Sequence, residues 1–281
     1  MRVIGRAAEL GRVLDAERRA GRTVGLVPTM GALHEGHRSL VETAAAERDA
    51  VAVTIFVNPL QFGPGEDVAS YPRDLEGDLR HAEKAGATVV FAPPVEEMCP
   101  AEGLTTVHVA RLTAGLEGAS RPGHLDGVAT VVTKLCALAG RCRAYFGEKD
   151  FQQLVVVRRL VADLSLPVEV VACPTVRERD GLALSSRNAY LDGAERAAAP
   201  VLFRALRAGA AAILAGERDP ALVRDLVASI VAAEPLVALD YAEVVDAATL
   251  ETPPVLAGEV RLLAAAGIGA ARLIDNIGVS L

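Results

Sequence analysis

Apolar positions in the first two thirds of the chain fall into short continuous runs separated by stretches with helical spacing. Residues 23–28 (TVGLVP) and 50–57 (AVAVTIFV) are aliphatic and β-branched with little polar alternation, the pattern of a strand covered on both faces. Residues 88–92, 143–146 and 168–172 repeat it, and residues 39–47, 75–85, 128–138 and 149–164 between them read as helices. Strands alternating with helices predict a parallel sheet with helices on both faces, and such a sheet presents ligands at the carboxyl ends of its strands. Beyond about residue 174 the texture changes. Residues 194–215 and 220–234 have the spacing of two amphipathic helices, and 240–245, 259–265 and 272–276 read as strands of a small antiparallel sheet. The expected division is therefore 1–175 for a doubly wound α/β domain and 176–281 for a smaller α+β domain.

Composition narrows the picture. The chain has 281 residues, 51% hydrophobic and 23% charged, enough for a substantial core and far from collagen-like or disordered usage. Its net charge of −7 disfavours a nucleic-acid-binding surface, so an anionic substrate must meet a local positive pocket. Cys99, Cys136, Cys142 and Cys173 have no C-x-x-C spacing and suggest neither zinc nor a disulfide framework. Charges at Arg2, Arg6, Glu9, Arg12 and Asp15 break any leader-like apolar region, and no uninterrupted apolar run approaches about 20 residues. A soluble cytoplasmic protein with no membrane or nucleic-acid partner is the expectation. Of 29 basic residues only Lys84, Lys134 and Lys149 are lysines, none preceded by glycine, which excludes a Walker A loop.

Five short segments carry candidate chemistry. The first is Met30, Gly31, Ala32, Leu33, His34, Glu35, Gly36 and His37, which follows the first core strand and leads into a helix. His34 and His37 are one turn apart, a helix N-terminus attracts anions, and glycine lets backbone approach a ligand closely. Two imidazoles there suit a triphosphate and charge developing at phosphorus. A zinc site needs three or four ligands and this motif offers two, so no metal site is assigned. The second is Gly147, Glu148, Lys149, Asp150, Phe151, Gln152 and Gln153, at the end of a strand and the start of a helix. The third, Leu184, Ser185, Ser186 and Arg187 after Arg177 and Arg179, has the hydroxyls and guanidinium of a phosphate clamp. The fourth places Asn58 and Gln61 in FVNPLQFG, which suits a small hydroxylated molecule; the fifth gathers Glu117, Arg121 and His124 before a helix.

Together PTMGALHEGH, FVNPLQFG, YPRDL, RPGHLDGV, FGEKDFQQL and PTVRERDGLALSSRN, in this order, resemble the pantoate–β-alanine ligase family. That family is a branch of the nucleotidyltransferases related to class I aminoacyl-tRNA synthetases. Its members' "HIGH" and "KMSKS" elements are similar to His34–His37 and Leu184–Arg187 here. The resemblance implies a Rossmann-type domain with a smaller C-terminal lid domain, a homodimer, and an ATP-dependent ligase. ATP would arrive with Mg²⁺, and pantoate and β-alanine would be the other substrates, joined through pantoyl adenylate. By the same resemblance, Met30 through His37, Gly147, Glu148, Lys149, Asp150, Val176 and Leu184 through Arg187 contact ATP, with His34, His37 and Lys149 catalytic. Gln61 and Gln153 bind pantoate, with Asn58, Arg121 and His124 as neighbours. A nucleotide adenylyltransferase of the same superfamily shares His-x-x-His, but not FVNPLQFG or GEKDFQQL.

Overall fold

The computed structural model describes residues 1–63, 66, 68–69, 71–101 and 103–281. The chain forms two compact units: Met1–Glu148 with Gln152–Pro174, and Lys149–Phe151 with Thr175–Leu281.

The first unit is built on six parallel strands, β1 (Arg2–Ile4), β2 (Val24–Thr29), β3 (Ala50–Ile55), β4 (Val89–Phe91), β5 (Cys142–Gly147) and β6 (Val168–Cys173). They lie in the order β1-β4-β3-β2-β5-β6, so the order reverses between β2 and β5. The helices are α1 (Ala7–Arg19), α2 (Glu35–Glu47), α3 (Leu75–Lys84), α4 (Val95–Met98), α5 (Glu117–Ser120), α6 (His124–Ala139) and α7 (Phe151–Asp163). Five of the six strands match the apolar runs. β1 escapes the pattern because three residues carry no period. α1 escapes it too, because only Leu10 and Leu14 of its thirteen residues are fully buried and charges surround them. One core cluster joins Val27, Val51, Val53 and Val90 of the sheet to Leu40, Val41 and Ala44 of α2 and Ala82 of α3. Such an interior, apolar on both faces of the strands, is what the unalternating runs dictate.

In the second unit, α8 (Gly193–Ala198), α9 (Val201–Leu214) and α10 (Pro220–Ala232) precede an antiparallel sheet of β7 (Val237–Asp246), β8 (Glu259–Ile268) and β9 (Ala271–Ser280). Leu206 and Ile213 of α9, Val223, Val227 and Val231 of α10, and Leu262, Ala264 and Ala266 of β8 form its core. Gly209 is required there: a Cβ would stand 2.6 Å from Leu262 and 2.8 Å from Val227. The stretch Gly193–Leu214 is long and apolar enough to pass for a membrane span, but 56% of its most apolar window is buried in the fold.

Candidate active site

In a sheet of this order the crevice for a ligand lies beyond the carboxyl ends of the strands where the order reverses, here β2 and β5. β2 ends at Thr29, whose hydroxyl donates to the Thr54 carbonyl (2.5 Å) and accepts from the Gly31 amide (3.2 Å). The next residues turn sharply, with Gly31 at φ +86° and Ala32 at φ +50°. Asp78 on α3 holds this turn. It is buried, and its two oxygens accept the amides of Ala32 (3.0 Å) and Leu33 (2.7 Å). Burial pushes the Asp78 carboxyl above its ordinary value, against the pull of the two amides. A Cβ on Gly31 would stand 2.7 Å from that carboxylate. His81, one turn further along α3, meets the Leu33 carbonyl through Nδ1 at 3.0 Å.

Two of the loop amides are thus occupied by Asp78, and the paired imidazoles become the distinctive chemistry of the loop. His34 is the N-cap of α2 and its Nδ1 accepts the Gly36 amide at 3.1 Å; His37 Nδ1 accepts the His34 amide at 3.4 Å. The rings stand 4.1 Å apart, tilted by 40°. A capping box of this kind normally uses a hydroxyl or carboxylate, which is why the spacing places the start of this helix at residue 39 and the structure places it at Glu35. With Nδ1 of both rings accepting, the proton of each neutral imidazole stands on Nε2, on the opposite edge. Glu35 is exposed and pairs with Arg38 at 2.9 Å.

Beyond β3, Asn58 caps a single 3₁₀ turn (Pro59–Gln61). It is buried; its oxygen accepts the Leu60 amide, and its Nδ2 donates to Gln61 Oε1 and the Gly127 carbonyl, each at 3.0 Å. Gln61 Nε2 reaches the Met30 sulfur at 2.9 Å, tying this turn to the loop after β2. The Gln61 carbonyl accepts from Arg121 (3.3 Å) and lies 2.8 Å from His124 Nδ1. Arg121 is itself forked onto Glu66, at 2.8 and 2.6 Å, and holds that carboxyl below its usual range. Burial, then Arg121, pushes the His124 imidazole below its ordinary value. Gly147 closes β5 with open space where a Cβ would be. Glu148 follows, and Gln153 is half-buried on the first turn of α7. Its neighbour Gln152 is buried and turned instead to residues 112–117.

In the second unit the backbone of Lys149 is fixed by Asn276 Nδ2, which donates to its carbonyl at 2.8 Å. Its ammonium lies 3.5 Å from the Asp150 carboxylate. Lys149, Ser185, Asn188 and Asp275 line one small enclosed cavity. Val176 and Leu184 pair across a hairpin, Leu184 N donating to Val176 O at 3.0 Å. Arg177 stiffens that hairpin through a fork onto buried Asp275 (2.6 and 2.8 Å) and a stack on Phe203. Ser185 then caps a 3₁₀ turn (Ser186–Tyr190), its hydroxyl accepting the Arg187 amide at 3.3 Å. The other two lysines are elsewhere: Lys134 closes α4 on the Glu97 and Met98 carbonyls, and Lys84 is exposed.

Sequence reasoning misses Asp78, His81 and Glu66, and it gives Gln152 no role of its own within the second segment. Asp78 and Gln152 had a signal: a polar residue on the apolar stripe of its helix, with Leu75, Leu79 and Ala82 beside Asp78, and Val156 and Leu160 beside Gln152. Among the described residues no group of three or more His, Cys, Asp or Glu is arranged as a metal site.

Known proteins can now be set beside this geometry. The family model for pantoate-beta-alanine ligase matches residues 2–278. The pantothenate synthetase of Heliobacterium modesticaldum is 53% identical over 281 residues, covering 100% of each chain. That of Moorella thermoacetica is 50% identical, covering 99% of this chain and 98% of its own. Among solved structures, the crystal structure of pantothenate synthetase from Thermus thermophilus superposes with a TM-score of 0.93 at 50% identity, over 99% of both chains. Pantoate-beta-alanine ligase from Francisella tularensis, complexed with β-γ ATP and β-alanine, does so with a TM-score of 0.79 at 31% identity, covering 99% of this chain and 97% of that one. The likeness runs from end to end, so the chain belongs to the pantoate-beta-alanine ligase family.

Proposed function

We propose that this protein condenses pantoate with β-alanine, consuming ATP. The observation that carries the reading is the loop after β2: two imidazoles locked on Nδ1 at the reversal of strand order, in a chain of this family. In the first step a pantoate carboxylate oxygen attacks the α-phosphorus, the bond to the β-phosphate oxygen breaks, and pyrophosphate leaves. In the second, the neutral amine of β-alanine attacks the acyl carbon, the C–N bond forms, AMP departs with its oxygen, and the amine proton is lost. Pantoate, β-alanine and ATP thus become pantothenate, AMP and pyrophosphate.

No covalent enzyme intermediate is needed, so the protein works by positioning and by meeting charge. The Nε2–H groups of His34 and His37 donate to phosphate oxygens, His37 being the proton donor that the family resemblance assigns. The Lys149 ammonium meets phosphate charge, and Mg²⁺ enters with the nucleotide. Met30 to Leu33, Gly147, Glu148, Asp150, Val176 and Leu184 to Arg187 contact ATP. Gln61 and Gln153 hold pantoate; Asn58, Arg121 and His124 hold Gln61. The resemblance also supports a homodimer, which sedimentation at working concentration tests.

An AMP assay with each substrate omitted in turn, run beside ATP–pyrophosphate exchange, checks the reaction. Exchange is expected with pantoate and without β-alanine, and AMP release only with all three substrates. Exchange that requires β-alanine would overturn the free adenylate.

A further inference from the structure

We propose that Gln152 is a positioning residue for the pantoate site, holding a strained segment whose end sets Arg121 and His124 on the Gln61 carbonyl. The inference rests on the reading that Gln61 contacts pantoate.

The segment before α5 adopts backbone conformations that side-chain-bearing residues avoid. Arg111 lies at φ +67°, and Leu116 at φ +54°, ψ −124°. A bulky residue with positive φ persists only where its surroundings over-determine it. The turn is tight as well, since a Cβ on Gly118 would fall on the Thr113 carbonyl. Beside the turn hydrogen bonds of its own backbone, the segment is held from outside by a buried side chain. Gln152 Nε2 donates to the carbonyls of Leu112 (2.8 Å) and Gly115 (2.9 Å), and its Oε1 accepts the amide of Glu117 (2.9 Å). These bonds bracket Leu116 on both sides. Glu117 is the first residue of α5, where an amide has no partner within the helix.

From that point hydrogen bonds run to the site. The Leu116 carbonyl accepts the amides of Ala119 (3.1 Å) and Ser120 (3.0 Å), Glu117 O accepts Arg121 N (2.8 Å), and Arg121 O accepts His124 N (3.0 Å). Arg121 and His124 then converge on the one carbonyl of Gln61. Gln152 also adjoins Gln153 on the first turn of α7. One amide therefore joins the helix that carries one proposed pantoate contact to the segment that orients the other. None of these hydrogen bonds reaches the imidazoles of His34 and His37, and Gln61 meets that loop through one contact with the Met30 sulfur, so their loss should be felt chiefly by pantoate.

The test is steady-state kinetics of the full-length enzyme with Gln152→Met, which keeps length and removes all three bonds. The Michaelis constant for pantoate should rise about tenfold or more, given the steep dependence of rate on sub-ångström placement, while that for ATP stays within about twofold. Adding Leu116→Gly, which removes the penalty on positive φ, should recover most of the pantoate constant. Gln152→Glu, keeping the acceptor and losing the donor, should fall between, and it serves where Gln152→Met does not fold. A pantoate constant unmoved in Gln152→Met and Gln152→Glu, a parallel rise for both substrates, or no recovery with Leu116→Gly would overturn the inference. Loss of pantoate-dependent exchange in the unsubstituted enzyme would instead overturn the functional reading beneath it.

Discussion

Lys149 is one of three lysines beside 26 arginines in the chain, and the only one of the three at the carboxyl end of a core strand. A compact ammonium and a planar guanidinium fork differ in size and in hydrogen-bond directions, so arginine is a poor replacement where phosphate charge is met at one point. Lys149→Ala should lower kcat by about 10²-fold or more, the effect of one lost electrostatic donor, and Lys149→Arg should not restore it; a normal rate in the alanine variant removes the residue from the chemistry, and a normal rate in the arginine variant shows that a guanidinium serves as well. His124 makes a different kind of prediction. Its imidazole is depressed below its ordinary value, chiefly by burial, so the folded protein favours the neutral ring. The unfolded chain takes up a proton near pH 6.5, and the folded chain only lower. The neutral ring's contribution is therefore complete above about pH 6.5 and declines as the pH falls below it. Thermal melts between pH 7.5 and 5 should show a steeper loss for the native chain than for His124→Gln; parallel curves would mean that His124 does not contribute this way.

The elements themselves explain which features of the site were readable in the sequence. Long apolar runs such as 50–57 identify strands because a strand between two helical layers has no solvent face to make polar. The two imidazoles and Lys149 stood out because rare residues sit directly after strands, whereas Val176 came only from the family resemblance. What could not be read were the braces, since a hydrogen bond from Asp78 back to residue 32 or from Gln152 to residue 117 has no sequence period. The contact of α6 with the 3₁₀ turn is another such brace. A Cβ on Gly127 would overlap the Leu60 carbonyl, which is backbone and cannot swing aside. Gly127→Ala should cost about 1–3 kcal/mol, the range for overpacking, and should displace Asn58 and Gln61, visible as a lower melting midpoint with a raised Michaelis constant for pantoate. Wild-type values for both would show that the helix can retreat without consequence.

At the scale of the molecule, a net charge of −7 leaves the capture of two anionic substrates to local donors, and those donors are few enough to name. Composition excluded a P-loop and indicated little else; order and spacing of motifs indicated the family. The units divide at Pro174 and Thr175, where the texture of the sequence changes, but three residues near the end of the first unit's sequence, Lys149–Phe151, group with the second, which no local pattern signals. Their anchors come late in the chain: Asn276 binds the Lys149 carbonyl, and Arg261 stacks on Phe151 at 4.1 Å. During synthesis, residues 149–151 leave the ribosome more than a hundred residues before either anchor exists. The lysine proposed to meet ATP is thus seated by almost the last strand to be made, and a nascent chain arrested anywhere before β9 lacks the hydrogen bond that fixes the Lys149 backbone.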